Sequence, residues 1–473
     1  MNSSSNAAAK DSLSMADILQ AQRSYFRSGA TKSIEFRIQH LRALKNAISK
    51  HESEILEALH RDLHKPLLEA FTGEVGFIYD EIEYALRNLR QWARPQKVRT
   101  PLLQFRSSSE IYFEPLGVNL IIGPWNYPFH LMIAPLVGSI AAGNCAILKP
   151  SEISPATSRI IHRLISNTFD AQYLSVVEGG VAITQELLAE KFDHIFFTGG
   201  TEVGRKIMEA ASKHLTPVTL ELGGKSPCLV DVEVPIEKAA QRIVWGKFFN
   251  AGQTCVAPDY LLLPQSIEKA FLLEMQNAVM RFYTTDPFAT SDYARVINSR
   301  HFQRLTHLLK QTRGQILMGG TQEETSRYLA PTLVTQVSWD DPLMAEEIFG
   351  PILPILTYSS LESAIAQISE RPKPLAFYFF SENKSNQAKV LNEIPFGGGC
   401  INDTLVHLSN PQLPFGGVGD SGIGAYHGKF SFETFSHRKG VLKKSFFFDP
   451  DLRYPPYGKK KLNILKRLME FFR

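Results

Sequence analysis

The sequence predicts an α/β protein built from two Rossmann-type parallel-sheet domains with a small additional β element, and three observations carry that prediction. Strand-like and helix-like segments alternate between residues 117 and 224, and a second alternating block runs from about 226 to 400. A chain of 473 residues is also too long for one hydrophobic core. Short apolar runs separated by amphipathic helices mean parallel strands covered on both faces.

In chain order, MNSSSNAAAKDSLSMADILQAQ has no apolar core of the signal-peptide kind and reads as a polar lead into a helix. Ile38, Leu41, Ile48, Ile55 and Leu59 then recur at helical spacing. The alternating segment QFRSSSEIYFEP predicts a hairpin projecting from the domain. From residue 117, GVNLIIG, CAILK, YLSVVEG, HIFFTG and VTLELGG read as strands, separated by a helix from about 129 and by PATSRIIHRLI, ITQELLAEK and TEVGRKIMEAASKH. The second block carries helices at EKAFLLEMQNAVMRF and ESAIAQISE, and the glycine-rich stretch 396–429 leads into KFSFETF, whose aromatic residues suggest a strand. The expected division is a first α/β domain (1–92 and 119–219), a second α/β domain (220–402), a small β element (93–118 and 403–445) and a C-terminal tail (446–473).

With 44% apolar and 21% charged residues and a net charge of +4, the composition is that of an ordinary globular protein and gives no reason to expect a nucleic-acid partner. The most apolar stretch, 117–148, is interrupted by Pro124, Asn126, Pro128, His130 and Pro135, which argues against a bilayer-spanning helix. Cys145, Cys228, Cys255 and Cys400 form no CxxC pair, so free thiols in a reducing, cytoplasmic setting are expected. Three motif fragments fail their own requirements. HRDL at 60–63 lacks the asparagine of a kinase loop, Leu67 standing there, and reads as a helix surface. His60 and His64 share a helix face, but Arg61 replaces the glutamate of a zinc protease, so no metal is expected. GGTEVGRK ends without the Ser/Thr of a P-loop.

The chemistry-bearing residues sit at strand ends. Gly199, Gly200, Thr201, Glu202, Val203 and Gly204 follow the HIFF strand and open a helix, where unpaired N–H groups favour a pyrophosphate. KPSE places Lys149 and Glu152 at the end of a neighbouring strand, a cation beside an acid that suits a ribose. PWNYP brings Pro124, Trp125, Asn126 and Tyr127 to a third strand end, Asn126 being either an aimed amide donor or a turn former. Glu221 precedes two glycines at a fourth. Cys255, in FNAGQTCVAPD, is by its residue type either a buried small hydrophobe or a nucleophile.

Taken together, PWNYP, KPSE, FTGGTEVG, ELGGK, GQTC, EEIFGP and PFGG resemble, in order and approximate spacing, the NAD(P)-dependent aldehyde dehydrogenases, over residues 20 to 440. The ending PFGGVGDSGIGAYHGKFSFETFSH is similar to the class 3 branch, which includes fatty-aldehyde dehydrogenases. The resemblance implies that family's fold, the first α/β domain being dinucleotide-binding, the second catalytic and the β element an oligomerisation element, with Cys255 as nucleophile, Glu221 as general base, and Asn126 with the Cys255 backbone N–H as oxyanion site. It implies Gly199 to Gly204 at the pyrophosphate, Lys149 and Glu152 at the adenine ribose, and Glu347 and Phe349, with Pro124 and Trp125, beside the nicotinamide. An aldehyde of medium to long aliphatic or aromatic type would add to the thiol and pass hydride to NAD or NADP. The thioester left behind would be hydrolysed by water that Glu221 activates. Glu152 should repel a 2′-phosphate and favour NAD. Transfer of the acyl group to coenzyme A is disfavoured by Glu221, and a catalytically idle homologue by the intact motif positions. Class 3 relatives are dimers, so a homodimer pairing the strand edges near 100–115 and after 429 is expected.

The tail GKKKLNILKRLMEFFR has its own pattern. Leu462, Ile464, Leu465, Leu468, Met469, Phe471 and Phe472 fall on one half of a helical wheel, with Lys461 the one charge among them. Such a helix packs on its own domain or a partner, covers a tunnel mouth, or lies on an anionic membrane surface.

Overall fold

Strand Val118–Ile122, buried along its whole length, is the centre of a six-stranded sheet in the computed structural model, which describes residues 14–447 and 449–471. Cys145–Lys149 and then Leu174–Val176 lie on one side, and His194–Thr198 and Val218–Glu221 on the other, all parallel; Gly422–Ile423 closes the latter edge antiparallel. The first three of these strands run outward from Val118, and the chain then returns to its other flank with His194. Strand order therefore reverses between Val118–Ile122 and His194–Thr198, and the carboxyl ends of those strands open on a crevice. The intervening helices obey local rules: Pro155 starts Pro155–Thr168, and Gly143, at φ 94°, ends His130–Ala142.

The second sheet has seven strands in the order Gln315–Met318, Thr332–Thr335, Ile352–Tyr358, Tyr260–Pro264, Pro227–Val230, Ala376–Phe380 and Gly398–Ile401. All are parallel but the first pair. The expected helices here are Glu268–Tyr283 and Leu361–Ser369. The expected domain boundary at 219/220 falls inside strand Val218–Glu221 of the first sheet.

Three local expectations are corrected. The segment 104–115 is not a hairpin in itself: Ser107–Pro115 is one strand, paired antiparallel with Gln96–Val98 on one side and with Ser436–Lys444 on the other. KFSFETF is not a strand but most of helix Gly428–Thr434, because Phe432 and Phe435, one helical turn apart, both insert into the core, where the Phe432 ring meets Trp92 and Phe113. HRDL is only partly a helix surface. Asp62 and Leu63 are buried, and the Asp62 carboxylate accepts from the Ala156 and Thr157 N–H groups (3.1 and 2.8 Å), holding the first turn of Pro155–Thr168.

The tail forms helix Lys459–Phe471, with Leu462, Ile464, Leu465 and Met469 exposed; Phe472 lies outside the described residues, as does the side chain of Phe471. Lys461, the charge that interrupts the apolar half, is its tether: its Nζ is 2.8 Å from the Asp451 carboxylate and donates to the carbonyls of Asp451 and Tyr454 (2.8 and 3.0 Å). Among the described residues no helix is long and apolar enough to cross a membrane.

Candidate active site

The segment between helix Ile236–Phe248 and Cys255 is forced into an unusual path. Asn250, Ala251 and Gly252 have φ of 54°, 51° and 71°, left-handed backbone that costs each of the first two roughly 1–2 kcal/mol. Only glycine fits at 252, since a Cβ there would lie 2.3 Å from the Gly350 carbonyl oxygen. The strain is held by bonds. The Asn250 N–H donates to Glu69 (2.9 Å), and the Gln253 amide donates to the carbonyls of Asn250 and Arg295 (3.0 Å each) and accepts from the Ile297 N–H (2.9 Å). The loop delivers Cys255 to a partly exposed position, whereas Cys145 and Cys228 are fully buried.

Asn126 faces this loop from the end of strand Val118–Ile122. Its Nδ2 donates to the Gln253 carbonyl (3.0 Å), which uses one of its two hydrogens. Its own carbonyl accepts from Asn250 Nδ2 and from Lys65 Nζ, at 2.9 Å each. Lys65 is wholly buried and ion-paired with the equally buried Glu74, and its ammonium stands 3.9 Å over the Tyr127 ring. The second Glu74 oxygen accepts the N–H groups of Phe129 and His130 (2.9 and 3.1 Å), fixing the start of helix His130–Ala142. The Tyr127 hydroxyl bonds Thr254 Oγ1 (2.7 Å), beside Cys255.

Two cavities meet at Cys255. One, of about 210 Å³, is walled mainly by apolar side chains, among them Phe77, Leu131, Trp245, Leu405 and Phe415. The other, of about 250 Å³, is lined by Pro124, Trp125, Asn126, Gly199, Gly200, Glu221, Glu347 and Phe349, so it gathers eight of the residues singled out in the sequence around the thiol. The Phe349 ring stands edge-on to Trp125 at 5.3 Å, and Glu347 lies against Gly223, where a Cβ would fall 2.1 Å from its carboxylate. Thr201, Glu202, Val203 and Gly204 form the first turn of helix Thr201–Ser212, with Gly204 close on Leu222. Lys149 and Glu152 are ion-paired at 2.8 Å at the end of strand Cys145–Lys149.

These residues fit a dinucleotide. The Gly200 N-cap offers no side-chain hydrogen bond to the helix N–H groups behind it, a Cβ at 200 would meet nothing within 4 Å, and both Glu221 carboxylate oxygens are buried without a partner. Burial pushes the Glu221 carboxyl well up and Glu347 up to about 8, the latter helped by Asp259. The Cys255 thiol is also pushed up, first by burial and then by Glu347 and Glu221, against which the N–H groups of Cys255 and Val256 act. Sequence reading missed Lys65, Glu74, Asn250 and Gln253, and also His301 and Arg304 on the second cavity's wall. Only the proximity of GQTC hinted at Asn250 and Gln253, and no pattern marked the others.

The model of the aldehyde dehydrogenase family matches residues 4–441. The chain is 49% identical over 444 residues to the 4,4'-diaponeurosporen-aldehyde dehydrogenase of Staphylococcus aureus, covering 94% of this chain and 96% of that protein. It is 47% identical over 445 residues to the dimeric NADP-preferring aldehyde dehydrogenase of Canis lupus familiaris, covering 93% and 98%. Among solved structures it is similar to the substrate-bound state of Staphylococcus aureus AldH, with a TM-score of 0.95 at 48% identity, over 97% of this chain and 100% of that one.

Lys65→Met removes the ammonium and leaves Glu74 buried without its partner. It is expected to lower the unfolding free energy by about 3–5 kcal/mol in urea titrations, with Lys65→Met/Glu74→Leu regaining part of that loss.

Proposed function

This chain belongs to the aldehyde dehydrogenase family, in its class 3 branch, as an enzyme that oxidises aldehydes to carboxylic acids with NAD or NADP; on that premise we propose the roles of its residues and its preferred substrates. The meeting of an apolar cavity and a glycine-lined polar one at a single thiol carries the reading: aldehyde enters by the first and dinucleotide by the second. Gly199 to Gly204 hold the pyrophosphate on the helix N-terminus, Lys149 and Glu152 the adenine ribose, and Pro124, Trp125, Glu347 and Phe349 the nicotinamide end. Glu152, although tied to Lys149, keeps a carboxylate near the 2′ position and favours NAD over NADP.

Cys255 Sγ adds to the aldehyde carbon. The free hydrogen of Asn126 Nδ2 and the Cys255 backbone N–H receive the oxyanion, a contact worth roughly 3–4 kcal/mol in comparable acyl-transfer sites. The bound cofactor supplies the hydride acceptor and a positive charge. Glu221, its basicity raised by burial, takes the proton of the water that opens the Cys255 thioester. Its two unpartnered oxygens leave it free to reach that water.

The apolar lining favours aldehydes with aliphatic or aromatic tails of medium to long chain. A homodimer is supported by strand Ser436–Lys444, which borders its sheet with no second neighbour among the described residues, while Leu442 and the nearby Leu102 and Phe105 are exposed. The chain is read as cytoplasmic, and the tail as a peripheral element. Leu462, Ile464, Leu465 and Met469 remain uncovered within one chain, and Lys459, Lys460, Lys466 and Arg467 supply charges that suit an anionic lipid surface or the rim of the substrate entrance.

Two sets of variants test this. Cys255→Ala is expected to abolish reduction of the nicotinamide while dinucleotide binding persists in calorimetry, and Glu221→Gln to give one burst of reduced cofactor before stalling. Turnover near wild type in the first, or steady turnover without a burst in the second, would overturn the assigned roles. Deleting residues 458–473 is expected to spare short aldehydes, lower kcat/KM for long-chain ones and weaken sedimentation with anionic liposomes.

A further inference from the structure

Two histidines interrupt the apolar wall of the cavity assigned to the aldehyde. His130, at the start of helix His130–Ala142, and His427, just before helix Gly428–Thr434, both line it, and both are buried. Their ring centroids lie 6.3 Å apart, the planes 30° from parallel. Phe77 packs on both (4.0 and 5.1 Å), and Phe415 stacks on His427 at 5.2 Å.

The hydrogen positions follow from the partners. His130 Nδ1 is 3.1 Å from the Gly73 carbonyl, which can only accept, so Nδ1 carries the hydrogen and Nε2 presents a lone pair. That Nε2 is buried without a partner. Neither nitrogen of His427 has a hydrogen-bond partner, although the Leu408 backbone faces the ring. Burial pushes His130 down to about 3 and His427 well below its ordinary value, with Lys65 near the first, and His130 and His407 near the second, adding to the effect. Both rings are therefore neutral, and His427 has one N–H to donate where His130 can only accept.

The backbone aims His427 at this place. It holds a φ of 81°, rare for a residue with a side chain, and is clamped there: its own N–H donates to Ser431 Oγ (2.8 Å), and the next N–H, of Gly428, to the buried Glu81 carboxylate (3.1 Å). A cavity meant only for hydrocarbon has no use for three unpartnered ring nitrogens.

We propose that His130 and His427 form a polar subsite in the aldehyde cavity that selects substrates bearing a neutral hydrogen-bonding oxygen on the tail, a hydroxyl above all. A hydroxyl is the one neutral group that can both donate to His130 Nε2 and accept from the His427 N–H, and the two rings line the same cavity with their centroids 6.3 Å apart. A carboxylate tail is disfavoured, since neither ring brings a compensating charge into this apolar space. The inference rests on the reading of this cavity as the aldehyde site.

The test compares octanal with octanals carrying one hydroxyl walked from the sixth to the eighth carbon. At one position the hydroxyl is expected to raise kcat/KM over octanal by about tenfold, chiefly through KM. That ratio should fall to about one in His130→Phe and in His427→Asn, and recover in part in His130→Gln, which restores an acceptor. If octanal is oxidised but no hydroxyl position is preferred, or if both variants keep the preference, the subsite is overturned while the dehydrogenase reading stands. Failure to oxidise octanal itself would instead overturn the reading of the cavity.

Discussion

The catalytic geometry hangs on one buried ion pair. Lys65 and Glu74 lie within a helical region whose other charges mostly face water, yet both are fully buried, and burial raises Glu74 and lowers Lys65 against their mutual attraction. Such a pair is costly unless every donor and acceptor is used, and here they are spent on one turn. Lys65 reaches the Asn126 carbonyl and the Tyr127 ring, and Glu74 reaches the N–H groups of Phe129 and His130. The backbone bends to allow it: Phe71–Val75 is a single π-helical turn, in which Gly73 faces Phe249 and Tyr127 so closely that a Cβ would stand 3.3 Å from each ring. The pair thereby holds the backbone of the turn that carries Asn126.

From there the constraint passes to Cys255 without a break. Asn126 and Asn250 both donate to the Gln253 carbonyl, and Asn250 also donates to the Asn126 carbonyl, so the Asn126 turn and the left-handed loop before Cys255 share their hydrogen bonds. Gly252 against Gly350 carries the same rigidity to Phe349, and thence to Trp125. Elements from both sheets and from the N-terminal helices are thus locked around a thiol that is open on two sides, which is what a reaction between two separately entering ligands requires.

Legibility in the sequence divides along the same line. The strand ends were readable because a parallel sheet with covered faces leaves an unambiguous alternation, and its carboxyl ends must converge; the places of Asn126, Gly200 and Glu221 at those ends followed from that alone, while the roles expected of Asn126, Glu221 and Cys255 came from the family's motif order. Lys65 and Glu74 were not readable. A charge at a helical position is ordinarily solvated, and what buries these two arrives from residues 126–130 and 249, far along the chain. Phe432 misled for the opposite reason: aromatic residues with β preference sit equally well on a short helix when tertiary contacts, here Trp92 and Phe113, decide. Lys461, which looked like a flaw in an amphipathic wheel, is where the tail is tied down.

The electrostatics of the crevice give the last step. Cys255, Glu221 and Glu347 all have their protonated forms favoured by burial first; Glu347 and Glu221 add to the effect at Cys255, and Asp259 adds to it at Glu347. Lys225 and Arg304 lower Glu347, but Lys225 already gives its hydrogens to Asp259 and to the carbonyls of Leu343 and Glu346, and Arg304 gives one to that of Ile348. Neither of these two cations is thus dedicated to the thiolate. A positive charge in the cavity shared by Cys255 and Glu347 would favour ionisation of all three groups at once. Without such a charge burial favours the protonated, weakly nucleophilic thiol, and under the proposed roles the same burial would keep Glu221 basic enough to accept a proton from water. A buried, acid-lined crevice would therefore serve both halves of the proposed reaction, and would make reactivity at Cys255 conditional on what occupies the polar cavity.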